Sequence, residues 1–334
     1  MATNPSVERF RRHARVEIPL ICGPMYPCSN PELVASVSAA GGLGVVQPIS
    51  LTYVHGHDFR EGLRLIGRLS GGKPIGMNAL IEASAAAYKR RMEQWVTIAL
   101  EEGVRFFVTS LGNPRWIVEK AHAAGAVVYH DATERRFAEK AMSAGVDGLI
   151  AVNSQAGGHL GGLTATALFV QLEDFGVPVI CAGGIGDETD FVRAIDIGYA
   201  GAQLGTRLIA TNECRAPLAY KEAILRATAA DIVTTERLSG VPVAVLNTPS
   251  VERLGRKAGP LARWMLSGPR TKHWMRTIYG IKSILALKRG LNRDAPDKDF
   301  WQAGKSVASI SSIEPAAVIV RRFAAALTYA HRLP

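Results

Sequence analysis

The stretch Ala156–Gly162, "AGGHLGG", sets one histidine among four glycines. An imidazole near its ordinary pKa can take or give a proton at neutral pH. Glycine adds nothing to packing and carries an entropic cost. Glycines on both flanks of one ring therefore point to a close approach by another molecule. Gly157 and Gly158 are read as admitting a flat ring system against the main chain, with His159 projecting over it. The plain alternative is a surface histidine in a flexible loop. The other histidines offer less. His55 and His57 in "YVHGHD" read as a polar loop, and His130 as a satisfied core histidine that could also line a site.

A second group of residues could hold an anion. "AGGIGD" contributes Gly183 and Gly184, and "GTR" contributes Gly205 and Thr206. Glycine lets main-chain N–H groups come close to a phosphate, and a threonine hydroxyl adds a donor. Tight turns alone are the competing explanation. The pairing of two such stretches at successive strand ends favours one phosphate site.

These residues need a frame. Eight short apolar runs are read as buried strands: 18–23, 43–48, 74–80, 104–110, 126–132, 148–154, 178–184 and 201–206. Continuous apolar runs suit strands covered on both faces. Helix-like segments lie between them. "NPELVASVSAAGG" has Asn30 at the N-cap position, Pro31 next and Gly41 at its end, and "TERRFAEKAMSAG" and "DETDFVRAIDIG" follow the same grammar. Eight runs with seven helical connections predict a (β/α)8 TIM barrel rather than an open doubly wound sheet. In such barrels sites gather at the C-terminal ends of the strands, where "CGPMYPCSN", "NSQAGGHLGG", "AGGIGD" and "GTR" all fall. The expected organisation is a barrel over 1–230, a smaller, mainly helical inserted domain over 231–300, and a return over 301–334 in which "EPAAVIVRRFAAALTYAH" packs on the barrel.

Composition sets bounds. The 334 residues are 48% apolar and 20% charged, ample for one large domain with a smaller one attached. No run approaches a spanning length, and the charged N-terminus has no apolar stretch behind it, so a cytoplasmic enzyme is expected. The four cysteines, Cys22, Cys28, Cys181 and Cys214, have no metal-ligand spacing and are expected as free thiols; no metal site is read. Between Val251 and Phe300 there are 12 Lys or Arg and 4 Asp or Glu, so this stretch carries +8 of the formal +10. A solvated helical face is the plain account. A lid attracting anionic substrates, a carrier-protein site or a membrane-surface helix are the functional ones. No nucleic-acid motif is present.

The stretches "PLICGPMYPCSNPELVASVSAAGGLG", "AGGHLGG", "VPVICAGGIGD" and "GAQLGTRLIAT" resemble the nitronate monooxygenase family. The resemblance runs from about Ile18 to Ala223 and resumes at "FWQAGKS". It implies a TIM barrel that binds FMN without a covalent bond. It further implies that Gly23, Pro24 and Met25 line the flavin, Asn78 hydrogen-bonds it, and Gln155, Gly157 and Gly158 lie beside it. Ala182, Gly183, Gly184, Gly205 and Thr206 would bind its phosphate, and His159 matches the catalytic histidine. This sequence departs from many relatives in Gln155, where they have Glu, and in Leu160, where they have Arg. Some flavin reductases have Lys where Asp131 stands.

The resulting expectation is an FMN-dependent oxidation of a nitronate or nitroalkane by O2, giving a carbonyl compound and nitrite. The alternative is an NAD(P)H-dependent reductase on the same scaffold, of the enoyl-acyl-carrier-protein or quinone type. A flavin-binding barrel that docks an acidic partner is the non-enzymatic reading. A homodimer is compatible with each.

Overall fold

In the computed structural model residues 4–81, 86–237, 242–255 and 300–330 are described. Eight parallel strands close into a barrel. They are β1 (Leu20–Cys22), β2 (Leu43–Val46), β3 (Ile75–Ile81), β4 (Phe106–Leu111), β5 (Val127–Ala132), β6 (Gly148–Val152), β8 (Val179–Ala182) and β9 (Gly201–Leu204). The order around the barrel is that of the chain, and β9 closes on β1 through Leu20–Ala202 and Ile21–Gln203. Each expected run coincides with one observed strand, β3 and β4 running one residue past the expected ends. Helices connect the strands: α2 (Pro31–Ala39), α3 (Phe59–Leu69), α4 (Ala86–Glu101), α5 (Arg115–Ala123), α6 (Arg135–Ser143), α7 (Ala165–Leu172) and α8 (Glu188–Ile197), with α9 (Thr206–Ile209) and α10 (Leu218–Arg226) after the last strand. The C-terminal helix, Ala316–Ala330, returns to this outer layer, where Phe323 stacks on Phe191 of α8 at 5.4 Å between ring centroids.

Two cores result from the alternation of side chains along each strand. One fills the bore: Ile21, Val45, Phe106, Val108, Tyr129, Ile150 and Ile180, from six different strands, pack together with Phe10. Phe10 belongs to α1 (Pro5–Ala14), which closes the N-terminal end of the barrel, and His13 of that helix is 3.1 Å from the Tyr129 hydroxyl. The other core lies between strands and helices and contains Leu20, Cys22, Val46, Phe107, Val128, Leu149 and Cys181. All four cysteines are buried and free.

Outside the barrel lies a three-stranded antiparallel sheet of β10 (Ile232–Thr235), β11 (Val243–Leu246) and the two-residue β7 (Gly158–His159). Helix α11 (Pro249–Leu254) follows. The described part of the 231–300 stretch is thus two strands and one helix, and most of the basic segment lies outside the described residues. Among the described residues no helix is long and apolar enough to cross a membrane.

Candidate active site

Because the strands run parallel, their C-terminal ends share one rim. Strand register shows which side chains turn into the bore there. Asn78 pairs with Val108, Asp131 with Ile150, and Gln203 with both Ile21 and Ala182, all residues of the bore core. Paired residues of a parallel ladder point to the same face. Asn78, Asp131 and Gln203 therefore turn polar side chains into the bore beside its apolar residues. Gly23, two residues beyond Ile21, makes room for one of them: a Cβ there would lie 2.9 Å from Gln203 Cγ. Two of their oxygens, Asp131 Oδ1 and Gln203 Oε1, are buried without a hydrogen-bond partner among the described residues. Burial alone pushes the Asp131 carboxyl up to about 7. His130, one residue earlier, faces the other way and pairs with Thr109 Oγ1 at 2.8 Å; burial holds it down at about 4.

The loop after β6 carries the histidine. It opens on Asn153, fully buried, whose Oδ1 accepts from Gln155 N at 2.8 Å while its amide donates to Gly183 O at 2.9 Å. One side chain thus ties the loops after β6 and β8 together. The glycines that follow face protein. A Cβ on Gly157 would stand 2.7 Å from Gly304 N and 2.8 Å from Ala303 C, and one on Gly158 would stand 3.2 Å from Gln302 Oε1. Gly158 also has φ +70°, which disfavours any side chain. The close approach at these two positions is by the 302–304 segment. A Cβ on Gly161 would stand 2.5 Å from Val152 O, whereas one on Gly162 would face open space.

The 301–306 segment is consequently part of the site. Gly304 N donates to Thr206 Oγ1 at 2.9 Å, and Lys305 N donates to Gln155 O at 2.9 Å. Trp301 stacks on Tyr220 at 5.2 Å with planes 7° apart, and the Tyr220 hydroxyl donates to Gln302 O. This strap fastens the loops after β6 and β9.

His159 is held by backbone, opposite Val243 in β11, with Gly158 opposite Ala244. Its side chain keeps considerable solvent contact, yet dense protein around it lowers its pKa from 6.5 by desolvation. An exposed ring in dense surroundings is a ring in the wall of a cleft. It is neutral at pH 7, with one nitrogen free to accept a proton.

The proposed phosphate residues come together at successive strand ends. Ala182 pairs with Gln203 across β8 and β9, which sets Gly184 level with Gly205. Gly183 and Gly184 have φ of +115° and +83°, a conformation in which glycine is strongly favoured. Gly205 heads the short helix α9 (Thr206–Ile209), and a Cβ on it would meet nothing nearer than Met25 Sδ at 3.6 Å. Thr206 Oγ1 accepts from Gly304, so the hydroxyl proton is left to donate. Pro24 and Met25 follow β1 on the same rim, Met25 close to Gly205.

Of the sequence-nominated residues, Gly23 to Met25, Gln155 to His159, Ala182 to Gly184, Gly205 and Thr206 lie at or just beyond the C-terminal ends of their strands, and Asn78 lies midway along β3. Sequence reading did not nominate Asn153, Gln203 or the 302–304 backbone, and it noted Asp131 only as a departure. Gln203 carried a signal, as a polar residue inside the apolar run "GAQLGT". Asn153 carried one too, opening a loop directly after a strand. The strap carried none that spacing could reveal.

A closed (β/α)8 barrel with its chemistry at the C-terminal mouth defines an enzyme of the TIM-barrel class. The family model for nitronate monooxygenase matches residues 8–325, and the chain belongs to that family. It is an oxidoreductase, and the family implies a flavin. A (3aS,4S,5R,7aS)-5-hydroxy-7a-methyl-1-oxo-octahydro-1H-indene-4-carboxyl-CoA dehydrogenase of Rhodococcus jostii is 28% identical over 288 residues, 86% of this chain and 78% of that protein. A probable nitronate monooxygenase of Staphylococcus saprophyticus is 27% identical over 280 residues, 72% of this chain and 78% of that protein. Among solved structures, FabK from Thermotoga maritima matches with a TM-score of 0.77 at 25% identity, over 97% of this chain and 96% of that one.

The mouth fits a flavin on its own observations. Two buried oxygens, Asp131 Oδ1 and Gln203 Oε1, lack partners among the described residues, and a Cβ on Gly205 would meet only Met25, at ordinary contact distance. A flavin ring supplies an N–H donor, carbonyl and ring-nitrogen acceptors, and a flat body.

Proposed function

We propose that the protein is an FMN-dependent oxidoreductase that oxidises nitronates, and nitroalkanes after deprotonation, with O2 as the oxidant. Asn78 and Gln203 would meet the polar edge of the ring, and Gly23, Pro24, Met25, Gln155, Gly157 and Gly158 would border it. Ala182, Gly183, Gly184, Gly205 and Thr206 would hold the phosphate. FMN supplies the two-electron chemistry when bound. The chain's own contribution is positioning and proton management. His159, neutral and one-sided to solvent, takes the proton from the carbon next to the nitro group; a preformed nitronate needs only orientation. The observation that carries this reading is His159 on the loop after β6, at the C-terminal rim of the barrel, facing solvent in dense surroundings that lower its pKa. The barrel (1–230), cover (231–300) and return (301–334) division belongs to the proposal; it is supported by β11, which leaves the barrel to hold β7.

Oxidoreduction of a CoA thioester is the second reading. The name of the Rhodococcus relative and the +8 carried by residues 251–300 favour it, since CoA is strongly anionic. The FMN-loaded protein is mixed with a nitronate under air, and separately with an acyl-CoA plus NADH or a quinone. Oxygen uptake with nitrite release only in the first mixture supports the proposal. Turnover only in the others replaces it with the second reading.

A further inference from the structure

We propose that Asp131 is the proton-holding group of the mouth, a neutral carboxylic acid that donates a hydrogen bond to the flavin lying across it. This rests on the flavin reading above. The position comes from the ladder: Asp131 pairs with Ile150 of the bore core, two residues above Tyr129, so its carboxyl is on the bore side near the strand end. Its Oδ1 is shut away from solvent with no partner among the described residues. A carboxylate in such a place would be short of donors, because an ionised acid can only accept. A protonated one needs an acceptor, and the carbonyl and ring nitrogens of a flavin are acceptors. The third polar member across the bore, Gln203, has the reverse need in its own unpartnered Oε1. Together the two offer one donor and one acceptor to a planar edge that presents both.

The surroundings favour the neutral form. The flanking strands contribute Ile150 from β6 and, continuing the β4–β5 register past Thr109, Ser110 from β4. Below is Tyr129, engaged with His13 at the closed end of the barrel. His130 faces the opposite side of β5, toward Thr109. Asn78 and Gln203 across the mouth are uncharged. No charged group among the described residues contributes to the state of Asp131, and burial alone raises its carboxyl to about 7. A carboxylate there would stand against the lone pairs of the ring's carbonyl and nitrogen acceptors in a medium of low dielectric, a repulsive contact that protonation removes.

Binding must then be linked to a proton. If FMN takes the protonated form, its Kd rises with pH above about 7, on the order of tenfold between pH 7 and 8.5, and a proton is taken up on binding in that window. The phosphate of FMN titrates near 6 and lies outside this range. The experiment is calorimetric titration of the wild-type protein, stripped of cofactor, with FMN at several pH values and in buffers of differing ionisation heat. Asp131→Asn keeps the shape and a donor but cannot titrate. The proposal expects pH-dependent affinity and proton uptake in wild type, and flat affinity without uptake in Asp131→Asn. Equal, pH-independent affinity in both overturns it, as does a wild-type slope that survives in Asp131→Asn. If the variant does not fold, the wild-type data decide alone: no proton uptake overturns the proposal. Failure to bind FMN at any pH overturns instead the cofactor reading on which it rests.

Discussion

Replacing Gly157 by alanine tests the strap. Gly157 has no left-handed backbone requirement, so the substitution strains no dihedral and acts only through contact. Its Cβ would sit 2.7 Å from Gly304 N and 2.8 Å from Ala303 C, both main-chain atoms that cannot rotate aside. The 302–304 backbone must move, and with it the bonds Gly304 N to Thr206 Oγ1 and Lys305 N to Gln155 O, each 2.9 Å. Each such bond contributes about 1 kcal/mol net. Overpacking of a tight contact costs about 1–3 kcal/mol. The expected destabilisation is therefore ~3–5 kcal/mol if both bonds are lost. At roughly 2 °C per kcal/mol for a chain of this size, Tm falls by about 6–10 °C. FMN affinity should fall as well, because Thr206 loses the partner that fixes its hydroxyl. Gly162→Ala is the matched control on the same loop. Nothing lies within 4 Å of its Cβ position. That variant should be neutral or gain about 0.4–1 kcal/mol by restricting the unfolded chain. Thermal unfolding of both, with FMN titrations, reads the difference. Similar behaviour of the two variants would refute the strap argument.

Further predictions concern the proton groups and the basic segment. His159→Asn should retain FMN and lose about 10²–10⁴-fold in turnover of a neutral nitroalkane, with a smaller loss on preformed nitronate; equal small losses in steady-state assays on both substrates would rule out the base role. His130 and Asp131 should have opposite pH signatures in urea unfolding. His130 is held down at about 4 from 6.5, so between those values the unfolded chain binds the extra proton and stability rises with pH. Asp131 is raised from 3.8 to about 7, so there the folded chain binds the extra proton and stability falls with pH. Each slope is on the order of 1.4 kcal/mol per pH unit and the two nearly cancel from about pH 4 to 6.5. His130→Asn should therefore lose stability relative to wild type as pH rises, and Asp131→Asn should gain it; unchanged profiles in both would contradict the burial argument. Neutralising Arg270, Lys272 and Arg276 together should lower kcat/KM for an anionic substrate, with a deficit that shrinks as salt rises and no loss of FMN. Salt-independent kinetics would assign those charges to a solvated face.

The barrel was legible because its strands are buried on both faces, and burial writes itself as apolar runs. Even the rim glycines were visible at the expected ends. Capping was read with less fidelity. Asn30 does precede α2, but its side chain makes no cap bond; its amide donates instead to Glu32 Oε2 and to Glu213 O, and its Oδ1 accepts from Arg215 N. Helix α6 starts after Glu134 without a side-chain cap, one residue later than a Thr133 cap would place it. What sequence could not show was long-range pairing. Gly158–His159 is too short for any periodicity, and its partner strand lies more than 80 residues away. The same holds for the strap, whose contact with Gly157 spans well over a hundred residues. Sequence identified the glycines as a place of close approach; the structure supplies the approaching group at Gly157 as main chain.

The position of a bound flavin is the central claim. A crystal structure of the protein saturated with FMN measures this directly. The expected result is a ring across the barrel mouth between Met25 and His159, over Asn78, Asp131 and Gln203. Its phosphate should lie within hydrogen-bonding distance of the main-chain N–H groups of Gly184 and Gly205 and of the Thr206 hydroxyl. A phosphate bound elsewhere, or a mouth that stays free of flavin at saturating FMN, would contradict it.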